Sequence, residues 1–303
     1  MTMSRQPGSI GVDLGASRIV AVQFASSAGR RVHAATSVAR RFDDLGAEVQ
    51  RLARVMARQG FVPAPVVVAP SDEDVTTLEL RVPAPTAATG ANAPPVDQIV
   101  AAQLARLRKV DAAEIECAWW PTDGVATNAG VRALAIGLST ATSESIACAF
   151  DAAGLDVVAI ESRPIAAARG LAPLRPRPFE VLLDVTERTA HVITIERGQV
   201  GYVRRLEVSP AAIRDGGMAA RDELLSEMRL TLGYLQRRDE RNPVDRLLSV
   251  DGAAAERFAE AIRAALEMPV TIADSDSIVD GGEPLPAEAL VAVGLAARPG
   301  VRA

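Results

Sequence analysis

Two aspartates stand at the ends of short apolar stretches 171 positions apart. Asp13 closes Ser9–Leu14, and Asp184 closes Glu180–Val185. Each is followed by a short turn, Gly15-Ala16-Ser17 in the first case and Thr186-Glu187-Arg188 in the second, and then by two more β-prone stretches. A carboxylate at such a strand end can hold the water shell of a Mg²⁺ ion, and the backbone N–H groups of the turn can point at phosphate oxygens. The hydroxyl of Ser17 adds a donor, and a glycine at 15 lets the backbone approach a phosphate with no Cβ in the way. A third turn, Asp251-Gly252-Ala253, precedes a helical pattern and offers that helix's N-terminus. Each turn alone is ordinary turn chemistry. Two matching copies in order carry more weight, because they predict two β-meanders whose aspartates face each other across a cleft.

The elements that must position these residues follow from periodicity. In the first meander, Ile19–Phe24 alternates Val20, Val22 and Phe24 against Ala21 and Gln23, and Val32–Val38 follows. Leu45, Val49, Leu52 and Met56 then share a helical face that Gly60 closes, and Pro65–Ala69 reads as a buried strand. Thr76–Val82 alternates, Pro83–Pro95 reads as a Pro/Ala-rich loop, and Val96–Leu107 carries a helical stripe. Glu114–Trp120, Val131–Leu138 and Asp156–Glu161 read as strands around a helix containing Ile146 and Phe150. Residues 71–160 are therefore expected to form an inserted α+β subdomain of β-α-β-β-α-β order. The second meander, Glu180–Val185, Thr189–Glu196 and Gln199–Leu206, leads into a helix with Leu224, Met228, Leu232 and Leu235 on one face. Arg246–Val250 and Pro269–Ala273 read as strands on either side of a helix with Phe258, Ile262 and Leu266. Pro286 and the stripe Leu290, Val293, Ala297 mark a last helix.

Composition removes several classes. The 303 residues carry 33 basic and 38 acidic side chains, net −5, so the one-sided cation excess of a nucleic-acid binder is not expected. Lys109 is the sole lysine and no Gly-Lys-Ser/Thr occurs, which disfavours a Walker loop. Two histidines, His33 and His191, cannot build a histidine-rich metal site. Cys117 and Cys148 lack metal spacing and read as small buried hydrophobes in a reducing compartment. No apolar run of 18 residues occurs, so no membrane span is expected. Met1-Thr2-Met3-Ser4-Arg5 has no signal core. The reading is a cytoplasmic protein that reaches any membrane machine by docking.

Four stretches carry a family resemblance. They are Ser9-Ile-Gly-Val-Asp-Leu-Gly-Ala-Ser-Arg-Ile, Ala153-Gly-Leu-Asp-Val-Val-Ala-Ile-Glu-Ser, Ser226-Glu-Met-Arg-Leu-Thr-Leu-Gly-Tyr and Ala292-Val-Gly-Leu-Ala-Ala-Arg. By their order and spacing the chain resembles the PilM-like family of type IV pilus assembly proteins, within the actin-like ATPase superfamily and related to FtsA. The resemblance implies an α/β, bilobed, actin-like fold of the duplicated ribonuclease H-like kind, with an inserted α+β subdomain in the first lobe. It implies a first lobe over 1–178, a second over 179–275, and a C-terminal helix in 276–303 returning to the first. ATP and Mg would then be the cofactors. Asp13 and Asp184 would be the Mg-side aspartates, Gly15, Ala16, Ser17 and Thr186 the phosphate turns, Glu227 a neighbour of the ribose and Gly252 of the adenosine.

The chain departs from that pattern at several points. Val20 replaces a common lysine, Thr186 a glycine, Ala190 a hydroxyl residue, and Asp251 the first glycine of a pair. Cβ atoms and a carboxylate in phosphate turns both work against ATP, so an eroded nucleotide site is expected and no catalytic residue is assigned.

Three functional readings follow. The first is a scaffold: a cytoplasmic adaptor, peripheral to the inner membrane, that docks the N-terminal tail of a PilN-like pilus or secretion protein and can form homo-oligomers. The adjacent Trp119 and Trp120 would point to opposite faces of a strand, one into a core and one towards that partner. The second is an active Mg-dependent ATPase or small-molecule kinase of the same superfamily, which would need a general base that the sequence does not offer beyond the two aspartates. The third is the cytoplasmic half of a secretion protein similar to GspL. Such a protein would continue into a membrane helix, and this chain reaches Ala303 without one.

Overall fold

The computed structural model describes residues 7–26, 28–83, 95–122, 130–174, 177–185, 189–206, 208, 217–238, 246–250, 255–273, 275–286 and 288–301. Thr186, Asp251 and Gly252 of the expected turns, and most of the expected 83–95 loop, lie outside the described residues.

The first meander forms as predicted: β1 (Ile10–Leu14), β2 (Arg18–Phe24) and β3 (Val32–Ala39) pair antiparallel in sequence order. β4 (Val66–Ala69) and β8 (Val157–Ile160) join in parallel on the other side of β1, giving the order β3-β2-β1-β4-β8. β9 (Phe179–Val185), β10 (Ala190–Glu196), β11 (Gln199–Leu206), β12 (Arg246–Val250) and β13 (Val270–Ile272) repeat that order and those strand directions as β11-β10-β9-β12-β13. The duplication also holds in register. Asp13 lies opposite Val20, and Asp184 lies opposite His191, each pair shifted by the same 171 positions.

Helices cover the sheets by different means. α1 (Leu45–Arg58) starts at Asp44, whose carboxylate accepts from the Gly46 amide at 2.9 Å, and it buries Val49, Leu52 and Met56 at helical spacing. Gly60 then takes φ +81°, a left-handed turn that glycine adopts without a Cβ penalty. On the second sheet, α5 (Met218–Arg238) and α6 (Ala255–Leu266) meet Val181, Leu183, Val185 and Val192 in one core; Leu224, Met228, Leu235 and Ile262 are its helical side.

The closing helix, α8 (Leu290–Ala296), packs on β1, β2 and β4, so the chain returns to the first sheet. It starts four residues after Pro286, which therefore precedes the helix instead of opening it. Its seat is made of backbone. A Cβ at Gly11 would fall inside the Ala292 carbonyl oxygen, and a Cβ at Gly294 inside the Ala166 oxygen. Ser9 Oγ also donates to the Ala296 oxygen at 2.9 Å.

Ser71–Cys148 forms a separate compact unit. In it β5 (Val75–Val82), β7 (Val131–Ser139) and β6 (Ile115–Pro121) form an antiparallel sheet in the order β5-β7-β6. α2 (Val96–Arg108) packs Val100 and Leu104 against it and ends on Lys109, itself left-handed at φ 58°. The insert thus ends before the expected residue 160, because β8 extends the first sheet beside β4 and is not a fourth insert strand. α3 (Thr140–Asp151) runs out of this unit.

An unexpected helix completes the arrangement. α4 (Arg163–Gly170) follows β8, packs against α8, and touches β10 and β11 of the second sheet. A short helix, α7 (Ser275–Ile278), precedes α8. Among the described residues no helix is long and apolar enough to cross a membrane, and no cluster of His, Cys, Asp or Glu could hold a metal ion.

Candidate functional site

Alternation along a strand sends Gly11 and Asp13 to one face of the first sheet. α8 covers Gly11, and the first residue of α4 reaches Asp13: the Arg163 guanidinium forms an ion pair with the Asp13 carboxylate, and both residues are buried. Asp13 thus sits where the sequence requires, at the mouth of the first turn, but its neighbour is a cation supplied by the chain itself.

The turn is built around close approach. A Cβ at Gly15 would stand 2.7 Å from the Arg18 carbonyl oxygen, so glycine is required by the turn whether or not a ligand comes near. The same position lies 3.8 Å from an Arg163 guanidinium nitrogen. Arg40 closes the other side, its amide donating to the Ser17 oxygen at 2.6 Å and its guanidinium to the Gly15 oxygen at 3.4 Å. Arg18 donates to Ser37 Oγ at 2.7 Å. Gly15, Ala16 and Ser17 are therefore brought together with Asp13 in a setting of guanidinium groups.

The second aspartate has a different setting. Val181, Leu183 and Val185 face α5, so Asp184 lies on the opposite face of its sheet. His191 is its direct cross-strand partner, and Arg205 is the partner of His191 on β11. Residues directly opposite in an antiparallel pair hold their Cβ atoms about 5 Å apart, so carboxylate, imidazole and guanidinium form a row across three strands. Asp184 and His191 are both buried.

Glu227, expected near a ribose, pairs with an arginine of this chain. It lies on α5, and its carboxylate accepts from Arg204 of β11 at 2.7 Å. Arg204 also donates to Thr231 Oγ1 at 2.8 Å, and that hydroxyl donates to the Glu227 carbonyl one turn back. Arg204 pairs across from Val192, a member of the α5 core, so Glu227 and Asp184 belong to opposite faces of the sheet. Glu227 is used to fasten α5 to the edge strand.

The tryptophans separate as strand alternation predicts. Trp119 packs with the insert core, and its indole N–H donates to Asp97 of α2 at 2.7 Å. Trp120, opposite Leu134 on β7, projects from the other face and is half-buried. Of the cysteines, Cys117 is half-buried; burial, reinforced by nearby Asp97, pushes its thiol pKa up. Cys148 is exposed, contrary to the expected buried hydrophobe, because it falls on the outer side of α3 between the buried Ile146 and Ala149.

A divalent cation at Asp13 is what the family resemblance implies. Mg²⁺ requires near-octahedral oxygen ligands and bound water. A buried carboxylate whose Oδ1 already pairs with a guanidinium offers little negative field to a second cation, which the guanidinium would repel. The residues present do not fit the metal. Sequence reading missed Arg163 because it missed α4. The signals were there, in Ser162 before the helix, Pro164 in its first turn and Gly170 at its end, but the helix is only eight residues long. Ser162 is buried and its hydroxyl makes no hydrogen bond, so even the residue that should cap the helix does not show the usual signature.

No protein-family model matches this chain, and no curated protein matches it by sequence. Solved structures do match, across nearly the whole length. A structure of a PilM-PilN type IV pilus biogenesis complex is 17% identical, covering 96% of this chain and 99% of that one with a TM-score of 0.68. The ethanolamine utilization protein EutJ from Carboxydothermus hydrogenoformans is 15% identical over 98% and 91%, with a TM-score of 0.53. The cytoplasmic domain of EpsL, an inner-membrane component of the Vibrio cholerae type II secretion system, is 12% identical over 95% and 92%, with a TM-score of 0.50. The fold is therefore the bilobed actin-like one that the family resemblance implies, and the chain is similar in architecture to PilM.

Proposed function

We propose that this protein is an actin-like adaptor of a type IV pilus or related secretion machine, which docks the N-terminal cytoplasmic tail of a PilN-like inner-membrane partner. The observation that carries the reading is the extent of the likeness: a PilM-PilN structure aligns over 96% of the chain, so that the duplicated sheets and the insert are matched together. The EpsL domain supports a secretion-machine setting from a second, weaker likeness. The ion pair at Asp13 supports a scaffold over the Mg-dependent ATPase or kinase reading, since it leaves the first turn without a metal ligand.

Within this reading the tail docks on the insert, against the face of β6 that carries Trp120. Trp119 holds that strand to α2 and is the internal control. The test is titration of a synthetic peptide comprising the N-terminal cytoplasmic residues of the organism's own PilN-like protein, read by tryptophan fluorescence and calorimetry. Micromolar binding is expected. Trp120→Ala is expected to weaken it at least about tenfold, as loss of an aromatic anchor does, with Trp119→Phe close to wild type. No binding by the wild-type chain would remove the reading; equal binding by Trp120→Ala would move the docking face elsewhere.

A further inference from the structure

We propose that Arg163 stands in the place of a divalent cation, so that any phosphate-bearing ligand taken by the Gly15 turn is taken without metal. The inference is independent of the adaptor reading and applies equally to an enzyme on this fold. It rests first on the buried Asp13–Arg163 ion pair, in which the carboxylate is neutralised from within the chain. The position of the guanidinium is fixed by the fold. Arg163 opens α4, Pro164 follows it, and α4 is wedged against α8 by the backbone contact at Gly294 while touching β10 and β11. A nitrogen of the guanidinium already lies against the first turn, 3.8 Å from where a Gly15 side chain would begin. Arg40 bonds the same turn from outside. The row on the second sheet points the same way: Asp184 is followed across the strands by His191 and Arg205, not by further carboxylates. Both aspartates expected on the metal side thus have basic side chains of this chain as neighbours. What they leave is a turn suited to an anion and unsuited to a cation.

The test is thermal unfolding of the full chain with ATP in EDTA and with ATP in excess Mg²⁺. The two melting temperatures are expected to coincide, whether or not ATP itself raises them. A Mg²⁺-dependent rise of more than about 2 °C in the wild type would overturn the proposal. Arg163→Gln removes the internal cation and leaves Asp13 buried and charged. It is expected to melt lower and to gain a Mg²⁺-dependent rise in the presence of ATP; a folded Arg163→Gln chain without that gain counts against Arg163 as the excluding group. Should that variant fail to fold, Arg163→Lys, which keeps the charge, is expected to fold and to melt alike in both buffers. A Mg²⁺ response from Arg163→Lys would sink the idea.

Discussion

The two five-stranded sheets have the same strand order, the same directions and the same aspartate register, yet the Asp13 face of the first and the face opposite Asp184 of the second are closed by opposite means. On the first, α8 sits backbone against backbone, with Gly11 and Gly294 making room. On the second, α5 interdigitates large side chains, with Leu224, Met228 and Leu235 against Val181, Leu183 and Val192. The same contrast runs through the charges. Asp13 is answered from outside its sheet by Arg163, and Asp184 is accompanied from within its sheet by His191. Duplication preserved topology, and the two seams lie on different faces: α8 covers the face that carries Asp13, and α5 covers the face opposite Asp184. A seam closed by backbone contact tolerates no added atom, whereas a side-chain seam loses stability in proportion to what is removed.

That contrast can be broken by substitution. Gly294→Ala is expected to have the largest effect, roughly 4 kcal/mol or more by denaturant unfolding, because the new Cβ overlaps a carbonyl oxygen of α4 and only backbone movement can relieve it. Met228→Ala on the second sheet should cost less, about 3 kcal/mol, as an ordinary buried truncation. A Gly294→Ala protein more stable than Met228→Ala would reverse the comparison.

A third substitution sharpens the picture on the first sheet, where a carboxylate organises the segment leading into α1. Burial raises the Glu48 pKa, but donation from the Arg41 amide, the Arg51 guanidinium and the Phe42 amide outweighs it and holds the value below the ordinary carboxylate range. A depressed folded value means that the contribution is complete above the unfolded value, near about pH 4.3, and is lost as pH falls through the folded one. Glu48→Gln should therefore cost about 1–2 kcal/mol at neutral pH. Its deficit relative to wild type should shrink on acidification, as read by urea midpoints from pH 7 to 3. A deficit that grows in acid would contradict the assignment.

The smallest effect concerns the insert. Cys148 should be alkylated by iodoacetamide well before Cys117, whose thiol is partly buried and whose pKa is raised. Peptide mapping after brief exposure gives the order, and equal rates would mean that β6 is more open than its burial indicates.

Much of this architecture was legible because it repeats. The spacing of Asp13 and Asp184 located both meanders, and alternating Val, Ile and Leu set their strands to within a residue or two. What was not legible is tertiary. β8 looks like any short apolar stretch, and its assignment to the first sheet depends on parallel pairing with β4, 91 positions earlier between Val66 and Val157. Glu227 reads as a free helical carboxylate until Arg204 arrives from a neighbouring strand. Arg163 reads as one of many arginines, and nothing local says that its charge will be buried beside Asp13. Alternation correctly separated Trp119 from Trp120, since that depends only on the period of a strand.

One feature of the insert is open to direct use. Lys109, the sole lysine, is exposed at the left-handed end of α2. An amine-reactive fluorophore applied to this protein has one side-chain target, and it lies on the insert. With the α-amino group blocked beforehand, a single dye attached with no engineered cysteine would thus report on that unit.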